Sequence, residues 1–342
     1  MKVTTIGIDL AKLTFQVHGV DARGRPVLKK VLRRDQMTSF FVNLPPCRIG
    51  MEACASSHHW ARVLQGYGHD VRLIAPQFVK PYVKSNKNDA NDAEAICEAV
   101  SRPSMRFVGV KTIEQQSVLC LHRAREGFVK QRSAIANQIR GLLAEFGLVL
   151  PQGIQHVHKR VPALLEQATE QLPGFFLELI RTLVDHLRHL DEHVKALERE
   201  IVRWHRADPT SQRLEQIPGI GPLTASALTA SVGDPKLFKN GRQLAAWLGL
   251  VPRQHSSGGK PTLLGISKRG DMYLRKLLLL GAHTVMIRVR HHAVQNSWVT
   301  NLLHRRPVNV AAIALANKNA RIAWALMVHG RDYEPRLANA AL

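Results

Sequence analysis

The order of elements in the first hundred residues restricts the fold of this chain more than any other feature. Val3-Thr4-Thr5-Ile6-Gly7-Ile8-Asp9 alternates and is β-branched, so it reads as a core strand that ends on an acid. Phe15 to Val20 and Val27 to Leu32 read as two further strands, with Asp21-Ala22-Arg23-Gly24 as the hairpin turn between them. A short helix around Met37 to Asn43 follows, then Arg48-Ile49-Gly50-Met51-Glu52, another strand ending on an acid. His58 to Gly66 is helical in pattern, Val71 to Ala75 is a strand, and Asp89 to Val100 is a helix. The expectation is an α/β domain built on one sheet.

Three strands in a meander, then alternating helices and strands, is the order of the ribonuclease-H-like fold. Asp9 and Glu52 each close a strand, where side chains emerge at the carboxyl edge of a sheet, while Asp89 and Asp92 share one face of a helix. Four carboxylates converging without basic partners repel unless divalent metal neutralises them. Hard oxygen ligands select Mg²⁺ or Mn²⁺, and two such ions about 3.5–4 Å apart clamp the attacking and leaving oxygens of an in-line phosphoryl displacement. Singly, the acids have plainer readings: Asp9 as a turn acid, Glu52 as a solvent-facing residue, Asp89 as a helix N-cap. The set on this strand order favours the metal site. Ile6-Gly7-Ile8-Asp9-Leu10-Ala11-Lys12 also resembles the first phosphate loop of sugar-kinase and actin-like ATPases. That family needs a second Gly-rich phosphate turn, for which Asp208-Pro209 and Asp234-Pro235 are poor substitutes.

Charge argues against a sugar kinase as well. The 342 residues carry 48 Lys plus Arg against 26 Asp plus Glu, a formal net charge of +22. Residues 1–110 hold net +7, residues 111–234 net +1, and residues 235–342 net +14, with only Asp271, Asp332 and Glu334 opposing seventeen cations there. Such a field suits a polyanion and makes its binding salt-dependent. A 45% apolar content excludes wholesale disorder. The longest apolar candidate for a membrane span, Leu277 to Ala282, is far short of the roughly 18 residues needed, and the N-terminus enters a strand rather than a signal-peptide core. A soluble, cytoplasmic protein is expected. Cys47, Cys54, Cys97 and Cys120 lack C-x-x-C spacing and are read as buried thiols.

In the middle of the chain, Val118 to Leu150 is amphipathic and helical, interrupted by Gly127 and Gly141. Phe176, Ile180, Leu183, Leu187, Leu190, Val194, Leu197, Ile201 and Trp204 then recur at spacings of four and three, a heptad seam. The expected occupant of this seam is a second copy of the chain, giving a dimerising coil; the other is an intramolecular hairpin with residues 113–150. Next, Ile217-Pro218-Gly219-Ile220-Gly221 resembles a helix-hairpin-helix element, where Gly219 and Gly221 let backbone N–H groups approach a phosphate. A tight glycine turn packing two helices reads equally well. Further on, Phe238 to Leu250 reads as a short helix, Val251 to Lys260 as a flexible polar loop carrying Arg253, His255 and Lys260, and Ser267-Lys268-Arg269-Gly270-Asp271 as the opening of another helix. Composition alone makes that loop only mobile and cationic. The domains expected are 1–110 (α/β, metal-binding), 111–210 (helical, coiled-coil) and 211–342 (basic, mainly α, with the helix-hairpin-helix).

The Ile-Gly-Ile-Asp start, Glu52, Asn88-Asp89-Ala90-Asn91-Asp92-Ala93, the Ile-Pro-Gly-Ile-Gly hairpin, Leu250-Val251-Pro252-Arg253, Ser256-Ser257-Gly258-Gly259 and Ser267-Lys268-Arg269-Gly270 occur in this order. Together they resemble transposases of bacterial insertion sequences whose N-terminal DEDD domain is similar to that of RuvC-like Holliday-junction resolvases. Ala311 to Arg321 looks like one subgroup of that family. Members act as bridge-RNA-guided recombinases. The resemblance implies that Asp9, Glu52, Asp89 and Asp92 are Mg²⁺ ligands and that a serine of the C-terminal loop is the nucleophile, Ser257 fitting the motif better than Ser256. It implies donor and target DNA and a structured non-coding guide RNA as partners, and a homodimer assembling into a tetramer, the acids of one protomer working with the serine of another. Arg253, Lys260, Lys268 and Arg269 are the expected phosphate contacts beside Gly219 and Gly221. The alternatives are a hydrolytic junction endonuclease that uses the acids alone, and a non-catalytic nucleic-acid-binding protein.

Overall fold

The computed structural model describes residues 2–84, 88–291 and 297–335. Met1 and residues 85–87, 292–296 and 336–342, included in the expected domain limits, lie outside the described residues. The chain divides into two compact units, Met1–Glu114 with Val232–Leu237, and Gln115–Ser231 with Phe238–Leu342.

The first unit is a mixed α/β domain. Its strands are β1 (Thr5–Leu10), β2 (Thr14–Val20), β3 (Pro26–Arg33), β4 (Arg48–Glu52), β5 (Asp70–Ile74) and β6 (Phe107–Val108). Its helices are α1 (Gln36–Val42), α2 (Ser57–Gly66), α3 (Pro76–Val79) and α4 (Asp89–Val100). The sheet runs β3-β2-β1-β4-β5-β6, with β1 antiparallel to β2 and parallel to β4, β4 parallel to β5, and β6 antiparallel at the edge. The β2–β3 turn closes because Asp21 Oδ1 accepts from the backbone N–H groups of Arg23 and Arg25, each at 2.9 Å. Every strand and helix read from the sequence in this unit is present within a residue or two of its expected ends; the single-turn α3 and β6, too short to show alternation, are added.

Two glycines decide how α4 packs. A Cβ on Gly7 of β1 would lie 2.2 Å from the Ala93 carbonyl oxygen and 2.4 Å from the Cys97 nitrogen, and one on Gly50 of β4 would lie 2.8 Å from Val100 Cβ. The helix backbone therefore rests directly on the sheet, burying Ala93, Ile96, Cys97 and Val100. The Asn88 side chain caps α4 by accepting from the Asn91 N–H at 2.8 Å, so its first turn begins at Asp89.

The second unit is helical apart from one hairpin. Most of α5 (Ile113–Ala144) lies in it, with α6 (Ile154–Gln167), α7 (Gly174–Ala207), α8 (Pro209–Glu215), α9 (Pro222–Val232, ending in the first unit), α10 (Gly241–Trp247), α11 (Met272–His291), α12 (Ser297–Arg305) and α13 (Val308–His329). The expected glycine interruptions do not break α5: a Cβ on Gly127 or Gly141 would meet nothing within 4 Å, so both sit on an open face. The occupant of the heptad seam is also corrected. Phe176, Ile180 and Leu187 of α7 are buried against Ala136, Ile139 and Leu143 of α5 and Val157, Val161 and Leu165 of α6. Helix α6 adds to the expected elements, and its Val157, Val161 and Leu165, spaced four apart, form its buried face. Arg125–Glu198 (2.6 Å), stacked Phe128 and His193, Arg132–Asp191 (2.8 Å) and Phe146 against Phe176 pair α5 with α7 antiparallel along their length. A regular 3.5-residue repeat demands a long partner but does not say from which chain it comes. Two more expectations change: the loop over Val251 to Lys260 is a β-hairpin, β7 (Pro252–Ser257) and β8 (Lys260–Ile266), and of the cysteines Cys47 and Cys97 are buried while Cys54 and Cys120 are exposed. Among the described residues no helix is long and apolar enough to cross a membrane.

A buried histidine joins three of these helices. His122 of α5 lies 3.0 Å from Tyr273 Oη of α11 through Nδ1 and 3.1 Å from Ser226 Oγ of α9 through Nε2. Ser226 donates to the Pro222 carbonyl at 2.7 Å, so its oxygen accepts from His122 Nε2–H while Tyr273 donates to Nδ1. Burial, then the Arg125 charge, pushes the imidazole down to about 4.

Gly7→Ala is expected to push α4 off β1 and cost about 3 kcal/mol or more, the upper range for an overpacked core, read as a fall in the urea midpoint. For His122 the folded pKa lies below that of the unfolded chain, so the unfolded state binds more protons and stability falls as pH drops from 6.5 toward 4. The loss reaches about 3 kcal/mol at most. His122→Gln keeps a donor and an acceptor but does not titrate, and urea unfolding across this pH range should show a shallower acid limb.

Candidate functional site

Because β1 and α4 are held in contact, their ends meet at one edge of the sheet. One carboxylate oxygen from each of Asp9, Asp89 and Asp92 lies within 4.8 Å of the others. Asp9 and Asp92 are half-buried and Asp89 is exposed. Like charges about 4 Å apart repel by about 1 kcal/mol in water and about 4 at the effective dielectric of a protein surface, so the cluster favours a cation. Asp89 and Asp92 also occupy the first turn of α4, where the helix dipole favours negative charge. Three hard oxygen donors fit Mg²⁺ or Mn²⁺ and not a thiolate-seeking metal.

Glu52, the fourth acid expected, is not part of this cluster. Met51 pairs with Ile8 in the parallel β1–β4 ladder, so Glu52 ends the strand beside Asp9, yet its carboxylate stays outside the 4.8 Å set. Partial loss of water around the Cys54 thiol, then the negative charges of Glu52 and Asp9, push its pKa up. Cys54 as a neighbour of the site has no signature in sequence, because it follows Glu52 in an irregular turn.

The serines sit on the β7–β8 hairpin, exposed over its whole length from Pro252 to Gly265. Gly258 and Gly259 form the tip at φ +55° and +76°, the left-handed pair a two-residue hairpin turn needs. Register separates the two serines. Ser257 pairs with Lys260 and His255 with Thr262, so these four share one face. Ser256 pairs with Pro261 on the opposite face, where its Oγ accepts from Gln254 Nε2 at 2.8 Å. Arg253, Lys260, Lys268 and Arg269 are all exposed, and among the described residues none forms an ion pair with a carboxylate.

The glycine hairpin behaves differently from a free phosphate cradle. Gly219 takes φ +89°, and a Cβ there would lie 2.8 Å from the Gly281 carbonyl oxygen of α11, so its bare backbone is used for internal packing. Asn319 Nδ2 donates to the Pro218 carbonyl at 2.8 Å from α13. Gly221 faces open space. Elsewhere, His205 lies 2.7 Å from Ser211 Oγ and 2.8 Å from Glu215 Oε2, a hydrolase-like line of groups. Ser211 is completely buried, so this line pins the α7–α8 corner instead.

Comparison with known proteins places the chain in a family. A transposase family model of the DEDD, IS110 type matches residues 6–147, which contain the acids, and the model described as "Transposase IS116/IS110/IS902 family" matches residues 211–298, which contain both hairpins. The chain is 53% identical to a "Probable family 20 transposase" of Pseudomonas aeruginosa over 98% of this chain and 100% of that protein. It is 47% identical to the "Transposase for insertion sequence element IS1328" of Yersinia enterocolitica (96% and 98% covered), and 44% identical to that for IS1111A of Coxiella burnetii (97% and 91% covered). Matching these proteins over 96–98% of its length marks the chain as a transposase, an enzyme class that cleaves and transfers DNA. The chain belongs to the IS116/IS110/IS902 family of insertion-sequence transposases. Its DEDD domain points to use of a divalent metal.

Titration of MgCl₂ into the protein should release or absorb heat, and Asp92→Asn should weaken uptake by roughly ten-fold or more, at least the cost of losing a group that only supports a ligand. Glu52→Gln, outside the close cluster, should weaken it less. Equal heats from wild type and Asp92→Asn would remove the acids from metal binding.

Proposed function

We propose that this transposase cuts and rejoins DNA strands through a covalent phosphoserine on Ser257, with Asp9, Asp89 and Asp92 holding Mg²⁺ and Glu52 assisting from the adjacent strand end. The observation that carries the reading is the convergence of three carboxylates in a chain whose exposed hairpin places Ser257 on one face with Lys260. The strand order and these acids support a ribonuclease-H-like reading of the first unit. A divalent cation bound there supplies positive charge to the phosphoryl group in the transition state. The Ser257 oxygen attacks phosphorus as its proton leaves, the bond from phosphorus to one sugar oxygen breaks, and that oxygen gains a proton. One ester replaces another, so the bond energy is kept and the reverse attack by a sugar hydroxyl reseals a strand. Lys260, directly across from Ser257, and Arg253 steady the negative charge on the phosphate.

Lys268 and Arg269, like the open Gly221, contact phosphates and not bases, which positions DNA without reading it. Sequence choice is delegated to a structured guide RNA that pairs with donor and target DNA. The active form is a homodimer or a tetramer built from it, in which the acids of one protomer serve the serine of another, working at the nucleoid in the cytoplasm.

Denaturing gels of protein incubated with Mg²⁺, guide RNA and DNA should show a protein–DNA adduct that Ser257→Ala abolishes and Ser256→Ala retains. Cleavage persisting without adduct in Ser257→Ala would instead favour a hydrolytic junction endonuclease that uses the acids alone.

A further inference from the structure

The serine hairpin has a root unlike the rest of it. Two paired strands with no third strand or covering helix are marginal in water, and from Pro252 to Gly265 every residue is exposed. What holds the hairpin in one orientation must lie where its two ends enter the helices. There, Ser267 N–H donates to the Val251 carbonyl at 2.8 Å and Lys268 N–H to the Gly249 carbonyl at 3.2 Å, extending the ladder past the strands. The two chains then touch through glycine backbone. A Cβ on Gly249 would lie 2.1 Å from the Arg269 carbonyl oxygen, and one on Gly270 would lie 1.9 Å from that of Trp247.

Arg275 bridges this junction from α11. It is 8% exposed, and its Nη1 donates to the Leu248 carbonyl at 3.1 Å, on the chain entering the hairpin, and to the Arg269 carbonyl at 2.9 Å, on the chain leaving it. Among the described residues no carboxylate forms an ion pair with it. A buried guanidinium held by neutral carbonyls costs desolvation that an apolar side chain of similar size avoids. What it adds is geometry: one rigid planar group fixes both chains of the root to the same helix. From α13, Asn317 Nδ2 adds a bond to the Leu250 carbonyl at 3.2 Å.

We infer that Arg275 is a positioning residue that clamps the root of the β7–β8 hairpin and thereby sets the aim of Ser257. The inference rests on the reading of Ser257 as nucleophile for its catalytic consequence, though not for the clamp itself. A clamp of this kind acts on the rate of attack and not on DNA affinity, since Arg275 is enclosed and touches no substrate.

The test uses the full chain with Mg²⁺, guide RNA and DNA, comparing wild type, Arg275→Ala and Arg275→Lys by hydrogen exchange and by single-turnover adduct formation. In Arg275→Ala, amides of residues 252–266 should exchange roughly ten-fold faster or more, while α5 to α7 exchange as in wild type. Adduct formation at saturating DNA should slow by roughly ten-fold or more, because displacement of a reacting group by about 1 Å costs on that scale or beyond, with DNA affinity unchanged within about two-fold. Arg275→Lys, which keeps the charge and a donor but not the planar fork, should fall between. Unchanged hairpin exchange in folded Arg275→Ala, or faster exchange throughout the second unit in step with lost rate, overturns the clamp. If Arg275→Ala does not fold, Asn317→Ala carries the same test at residues 250–257, with unchanged exchange there counting against it. If Ser257→Ala still forms the adduct, the nucleophile reading fails while the exchange measurements still decide the clamp.

Discussion

The contact of α4 with β1 through Gly7 is the constraint on which the site depends. No side chain separates the two backbones, so the first turn of α4 is carried to the carboxyl end of β1 and Asp89 and Asp92 arrive beside Asp9. The Asn88 cap starts the helix at that point, and the helix dipole offsets part of the repulsion among the acids. Parallel pairing of β1 with β4 brings Glu52 to the same edge without closing it into the cluster. Packing elsewhere thus gathers three carboxylates into an arrangement that suits a cation.

The second unit solves a different problem. Its net charge is concentrated after residue 235, and the exposed β7–β8 hairpin carries cations free of carboxylates among the described residues. Ser257 and Lys260 share a face because a two-residue glycine turn fixes the register. At its root, glycine contacts, Arg275 and Asn317 fasten both ends of the hairpin to helices.

Local signals were read well from sequence and relational ones less so. β4 and α4 have their expected limits because strand alternation, the Asn88 cap and helix-face periodicity are properties of short segments. The convergence of Asp9, Asp89 and Asp92 followed from strand ends and helix spacing, whereas the displacement of Glu52 depends on side-chain direction, which spacing does not contain. The seam on α7 was visible, but its partner was not, since α5 offers a face as long as a second chain would. Val251 to Lys260 read as a loop because polar, exposed strands lack the apolar alternation that marks a half-buried one. Gly219 was legible as a backbone position needing freedom; that Gly281 rather than phosphate fills the space beside it is a tertiary fact. Arg275 gave no signal, one basic residue among many in a helix.

The most direct measurement is anomalous diffraction from crystals of the protein soaked in Mn²⁺. The expected result is a manganese peak bounded by the carboxylates of Asp9, Asp89 and Asp92, absent in crystals of Asp9→Ala. Well-ordered carboxylates with no peak between them at saturating Mn²⁺, or manganese held only elsewhere on the chain, would contradict the metal-based reading of the site.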